Sequence, residues 1–194
     1  MTGMSNFARE VGNVALTPFF VATLMFAAGT HAQTEDTRTL QREDGTSVTY
    51  TVRTYPPDAH LLRPDAKPVP TSALDTAKLI NLYLSDGDIE EVALLSNSPR
   101  RRFEVLRDYR ESVGEAEFKR VFAQYLAPEN RLIAEIAIDN RRLLIWDLRE
   151  GTTRIAGQYF VEVEGNFLID DVPNEQRTRL RWVLEAYRSG KLPH

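Results

Sequence analysis

The spacing of apolar positions changes period along the chain, and each change marks an element. Ser47 to Thr54 alternates Val48, Tyr50 and Val52 with polar partners, the pattern of a half-buried strand. Pro56, Pro57, Pro64, Pro68 and Pro70 make residues 55–71 an extended connector, because each fixes its own φ and disfavours helix in its predecessor. From Ser72 the pattern turns helical. Leu74, Ala77, Leu79, Ile80, Leu82, Tyr83 and Leu84 surround the cylinder, which predicts a helix buried on several faces and stopped by Gly87. Asp88 with Glu91 caps a short helix to Leu95, and Ser98-Pro99 opens a third along Phe103, Leu106, Tyr109 and Val113. Phe118, Val121, Phe122, Tyr125 and Leu126 then predict an amphipathic helix ending before Pro128. Beyond Asn130 the period is two, predicting strands over 131–139, 142–149, 152–164 and 167–171 with turns at Asn140-Arg141, Glu150-Gly151 and Gly165-Asn166. Pro173-Asn174 opens a last helix with Leu180, Val183, Leu184 and Tyr187 on its apolar face.

This order predicts an α+β fold in which helices pack on a curved, cone-like antiparallel meander, with an added N-terminal strand and a C-terminal helix. The domain is expected over residues 72–190, preceded by strand and connector at 46–71. Residues 33–45 hold one aliphatic side chain and are expected to be a flexible lead-in. Ahead of them, residues 14–28 are uncharged, follow Arg9 and lead to small residues before Ala32, the layout of a signal peptide over 1–32. The run is shorter than the roughly 20 residues a spanning helix needs. The expectation is a periplasmic or secreted protein with no stable membrane span after cleavage.

Residues 72–172, with helices before a meander and the ending Tyr159-Phe160-Val161-Glu162-Val163-Glu164-Gly165-Asn166-Phe167-Leu168-Ile169-Asp170-Asp171, resemble a nuclear-transport-factor-like domain. This is the cystatin-like cone shared with ketosteroid isomerases and SnoaL-type cyclases. The resemblance implies a conical pocket between sheet and helices, and no particular reaction, because such cones serve enzymes and binding proteins alike.

Composition narrows the chemistry. With 24 Lys+Arg against 28 Asp+Glu and no charged block, the chain lacks the basic surface of a nucleic-acid binder. No cysteine is present, which removes disulfides, thiolate metal sites and a cysteine nucleophile. The three histidines, His31, His60 and His194, all fall outside the expected pocket, so neither a metal site nor a serine–histidine triad is expected there. No cofactor motif is found.

A two-residue turn at Asn140-Arg141 would set Glu135 opposite Trp146, Ala137 opposite Leu144 and Ile133 opposite Leu148, with Ile155, Tyr159, Val161 and Val163 on the same side. Glu135 would then be a lone carboxylate in an apolar row, suited to general acid or base work, with Tyr159 or Tyr83 as oxyanion donor. Trp146, Tyr83 and Tyr125 are the expected pocket walls. The opposite side would pair Asp147 with Arg154 and carry Leu132, Ala134, Ile136, Ile138, Leu143 and Ile145. That aliphatic face needs a cover: the C-terminal helix, the early strand, or a second subunit in a homodimer. Arg100, Arg101, Arg102, Arg107 and Arg110 form a basic cluster of the kind that binds phosphate or an anionic polymer, but Arg100 with Glu104 and Arg107 with Glu111 fall at i, i+4 and read as the lacing of a solvated helix. In the last helix, Arg177, Arg181 and Arg188 form a stripe and Trp182 falls opposite the apolar face, a candidate partner surface. Three functions follow as expectations: a non-catalytic protein binding a small apolar ligand or an envelope partner, a cofactor-free isomerase, dehydratase or cyclase using Glu135, and an assembly or immunity module using the last helix.

Overall fold

The computed structural model describes residues 35–56, 58, 66–149 and 154–192. The expected signal segment, residues 57 and 59–65 of the proline-rich connector, the Glu150-Gly151 turn and all three histidines lie outside these residues. Six strands, β1 (Glu35–Gln41), β2 (Ser47–Thr54), β3 (Arg131–Ile138), β4 (Arg141–Leu148), β5 (Arg154–Val163) and β6 (Asn166–Ile169), form one antiparallel sheet in chain order. Four helices lie between β2 and β3: α1 (Ala73–Asp86), α2 (Ile89–Leu94), α3 (Pro99–Val113) and α4 (Glu115–Ala123), the last continued by a 3₁₀ turn at Gln124–Leu126. Helix α5 (Glu175–Arg188) follows β6. The α+β arrangement of helices on an antiparallel sheet is therefore as expected. No helix among the described residues is long and apolar enough to cross a membrane.

The alternation of β4 explains why the sheet carries a layer on each side. Leu144, Trp146 and Leu148 point to one face, where they join Ile80 and Leu84 of α1, Val92 of α2, Leu106 of α3 and Phe118 of α4. Leu143 and Ile145 point to the other, where Leu180, Val183, Leu184 and Tyr187 of α5 close over Val48, Tyr50, Val52, Ala134, Ile136 and Ile138. Of the covers expected for this aliphatic face, α5 is the one that lies across it. It sits close because β5 presents Gly157 there: a Cβ at that position would stand 2.6 Å from Leu184 Cδ2 and 2.9 Å from Leu143 Cδ1.

Three expectations need correction. Glu35–Gln41 is not a flexible lead-in but strand β1, paired along its length with β2. Its order comes from backbone pairing, a Thr39–Thr49 hydroxyl contact of 3.2 Å and an ion pair between Glu35 and Arg53, not from buried apolar side chains. Second, the β3–β4 turn is Asp139-Asn140, since Ile138 pairs with Arg141. Asp139 takes φ 51°, a left-handed conformation that Asp tolerates in hairpin turns. Glu135 therefore faces Leu144, and a bulge at Ile133 sets Leu132 opposite Trp146. That extra residue puts Leu132 on the α1–α4 face and Ala134 on the α5 face. Third, Ile155 and Tyr159 pack on the α5 face, and Asp147 faces Ile155. Its partners are Arg131 at 2.9 Å and Arg149 at 3.2 Å, not Arg154.

Candidate functional site

Strand β6 is short and pairs only with Phe160–Val163, so the first half of β5 is an open sheet edge. Along that edge the Ile155 carbonyl accepts from Arg188 Nε at 3.0 Å and the Tyr159 carbonyl from the Asp170 amide at 2.9 Å. By the two-residue period of a strand, the Gly157 N–H and C=O face the same way. Here a cavity of about 390 Å³ opens between the sheet and the helices. Ile80, Asn81 and Leu84 of α1, Phe122 of α4, Tyr125, Trp146 and Leu148 of β4, and Ala156 to Phe160 of β5 line it.

Each wall is held by identifiable contacts. Phe118 anchors α4 and lies 4.7 Å, centroid to centroid, from Phe122, which in turn stacks on Tyr125 at 6.0 Å. The Trp146 indole N–H donates to Gln158 Oε1 at 2.9 Å, which fixes the ring in the wall. Asn81 is 2% exposed, and its side-chain Nδ2 has no hydrogen-bond partner among the described residues. An unsatisfied buried amide costs about 1–3 kcal/mol, so a protein that keeps one in an apolar chamber needs a reason. At one end of the cavity Arg102 makes a two-pronged contact with Asp171, which also accepts from Ser96 Oγ at 2.6 Å.

The residues singled out in the sequence are only partly brought together. Trp146, Tyr125 and Tyr159 line the cavity. Tyr83 packs against the same core without lining it, under the Lys67 ammonium at 4.7 Å. Glu135 lines a separate cleft of about 400 Å³ with Tyr55, Arg53 and Arg142. There it accepts from the Tyr55 hydroxyl at 2.9 Å and has Arg53 and Arg142 each at 3.6 Å, so it is neither alone nor beside Trp146. Glu135 and Tyr159 do not converge on one space. On α5, the Arg42 guanidinium stacks 4.0 Å above the Trp182 ring, so the β1–β2 hairpin covers the tryptophan offered as a partner surface. Arg188 is engaged with Ile155 and with Glu185 at 2.9 Å, whereas Arg177 stands 5.2 Å above the Tyr159 ring. Arg181 lines a groove with Arg177 and Arg101.

Asn81 and the Arg102–Asp171 contact were not singled out from the sequence. Asn81 had a signal, a lone amide inside the run Leu79-Ile80-Asn81-Leu82-Tyr83-Leu84. Arg102 was legible only as one arginine of the basic cluster on α3; nothing local marked it for Asp171, because those arginines differ only in what the fold sets beside them.

The Glu135 cleft carries a pH prediction. Burial, and then the negative charge of Glu135, raise the Tyr55 phenol well above its ordinary value of 10.0. Burial also raises Tyr50, Tyr159 and Tyr187. An acid whose folded pKa is raised holds its proton longer when folded, so its stabilising contribution is full below the unfolded value and is lost as pH climbs past it. Urea unfolding measured from about pH 9 to pH 11 is expected to show falling stability, with a shallower fall in Tyr55→Phe. An identical slope in the two proteins would count against the Tyr55–Glu135 hydrogen bond.

No family profile, curated protein or solved structure gives a significant match to the chain.

Proposed function

We propose that this chain is an exported, non-catalytic binding protein that takes a small, mostly apolar ligand into the cavity between α1, α4 and the β4–β5 edge. The resemblance to nuclear-transport-factor-like cones supports a ligand-holding chamber, and the uncharged run at residues 14–28 supports export. A space of about 390 Å³ walled in part by Ile80, Leu84, Phe122 and Trp146 has the size and lining of a small-molecule pocket, which supports this reading.

The observation that carries the reading is Asn81. Its buried, unpartnered Nδ2, between the apolar neighbours Ile80 and Leu84 on the α1 side of the cavity, favours a ligand with a hydrogen-bond acceptor such as a carbonyl oxygen. Proton transfer by Glu135 has less support, because that carboxylate lies in the other cleft against two arginines and a tyrosine.

The test titrates 2-decanone against Trp146 fluorescence in a Trp182→Phe background. Saturable binding is expected, and Asn81→Leu should weaken it about tenfold, the worth of roughly one buried hydrogen bond. The same variant should be more stable by about 1–2 kcal/mol, because it removes an orphaned donor while keeping the shape of the side chain. Absence of saturable binding, or equal affinity in both proteins, would overturn the reading.

A further inference from the structure

Resting on the ligand-binding reading above, the geometry points to a ligand with a charged end: an alkyl chain that lies in the apolar cavity and terminates in an oxyanion held by Arg101, Arg177 and Arg181.

The cavity does not end in an apolar wall. Tyr159, Asp171 and Arg177 belong both to it and to an adjoining groove of about 320 Å³, which is completed by Arg101, Asn174 and Arg181. The charges in that groove do not balance. Asp171 is already committed, because both of its carboxylate oxygens take Arg102. Among the described residues, none of Arg101, Arg177 and Arg181 has a carboxylate partner, although their neighbours on the same helices do. On α3, Arg100 pairs with Glu104 at 3.0 Å and Arg102 with Asp171, leaving Arg101 between them unpaired. On α5, Arg179 pairs with Glu175 and Arg188 with Glu185.

Arg177 and Arg181 instead stand at i, i+4, a like-charge spacing that disfavours a helix unless an anion sits between. Arg177 is further placed by its stacking on Tyr159, the residue at the junction of the two spaces. Guanidinium forks match carboxylate and phosphate oxygens in pairs, so the head group is one or the other. The ligand is thereby an amphipathic anion of the fatty-acid or alkyl-phosphate kind, with its chain against Trp146 and Phe122 and its head in the arginine groove.

Isothermal titration of the full chain with dodecanoate, dodecyl phosphate and dodecanol, each below its aggregation threshold, tests this. The anions are expected to bind at least about tenfold more tightly than dodecanol, with an advantage that shrinks as salt is raised. The tighter of the two anions identifies the head group. In the double variant Arg101→Gln/Arg181→Gln, whose residues line the groove and not the cavity, that advantage should disappear while dodecanol binding stays unchanged, which also shows that the cavity is still folded. Dodecanol binding as tightly as both anions, or an anion preference that survives in the double variant, overturns the charged-end inference and leaves the apolar site standing. Failure of all three probes, together with 2-decanone, removes the apolar site itself.

Discussion

Asp170→Ala is expected to lower the unfolding free energy by about 3–5 kcal/mol, the cost of removing one member of a buried ion pair. The Asp170 side chain has no exposed surface, and Arg141 Nε reaches its Oδ2 at 3.1 Å. Two amides complete its shell: Asn97 Nδ2 donates to Oδ1 at 2.8 Å and Asn174 Nδ2 to Oδ2 at 3.2 Å. These donors come from the α2–α3 connection, the start of β4 and the N-cap of α5, so a single carboxylate ties three separate parts of the chain to the end of β6. Alanine leaves a guanidinium and two amides without their acceptor in a place water reaches poorly. Asp170→Asn keeps the shape but turns one acceptor into a donor facing other donors, and should fall between wild type and alanine. Urea unfolding at neutral pH is the measurement, and a loss below about 1 kcal/mol for alanine would show that Arg141 finds another partner. The effect extends to the proposed ligand site. Asn174 Oδ1 accepts from the Arg177 amide at 2.8 Å, so loosening Asn174 frees the first turn of α5 and the arginine that borders the cavity.

What could be read in the sequence divides along a physical line. Helices and strands with a strong apolar period were legible because burial itself imposes the period: Leu143 to Trp146 reads as one apolar run since both faces of β4 are covered. Strand β1 was not legible, because Glu35–Gln41 is ordered by backbone pairing and polar contacts that leave no apolar rhythm. The β3–β4 register hung on one turn residue. Asp139 and Asn140 both suit left-handed backbone, and moving the turn by one position carried Glu135 from Trp146 to Leu144. The face assigned to Glu135 survives that shift; its neighbours do not. The arginine groove was the least legible part. Arg177 and Arg181 were noticed as a stripe, but their relation to Arg101 depends on the packing of α3 and α5 around the end of β6, which no local pattern records.

Phe118→Ala is expected to cost about 3–5 kcal/mol and to abolish ligand uptake before it abolishes the fold. Phe118 is fully buried and is the single buried residue of α4, whose other apolar side chains are only partly covered. It ties α4 to α3 through an aromatic contact to Tyr109 at 5.8 Å, an addition of about 0.5–1.5 kcal/mol to simple burial, while its contact with Phe122 at 4.7 Å lies within α4 and orders the wall residue. Gly114, at φ 85°, breaks α4 from α3, and the ion pairs within the helix, Lys119–Glu115 and Arg120–Glu117, are exposed and add little. Since Phe122 and Tyr125 form part of the helical wall of the cavity, beside Ile80 and Leu84 of α1, a loosened α4 opens the chamber while the sheet and α5 remain packed on their own core. Hydrogen exchange should therefore rise first over residues 115–126, with the amides of β3 and β4 still protected, and 2-decanone binding should vanish at temperatures where the circular dichroism is still native. Uniform loss of protection across sheet and helices would mean instead that α4 belongs to the same cooperative unit as the sheet. Retained binding in the variant would move the ligand site away from this cavity altogether.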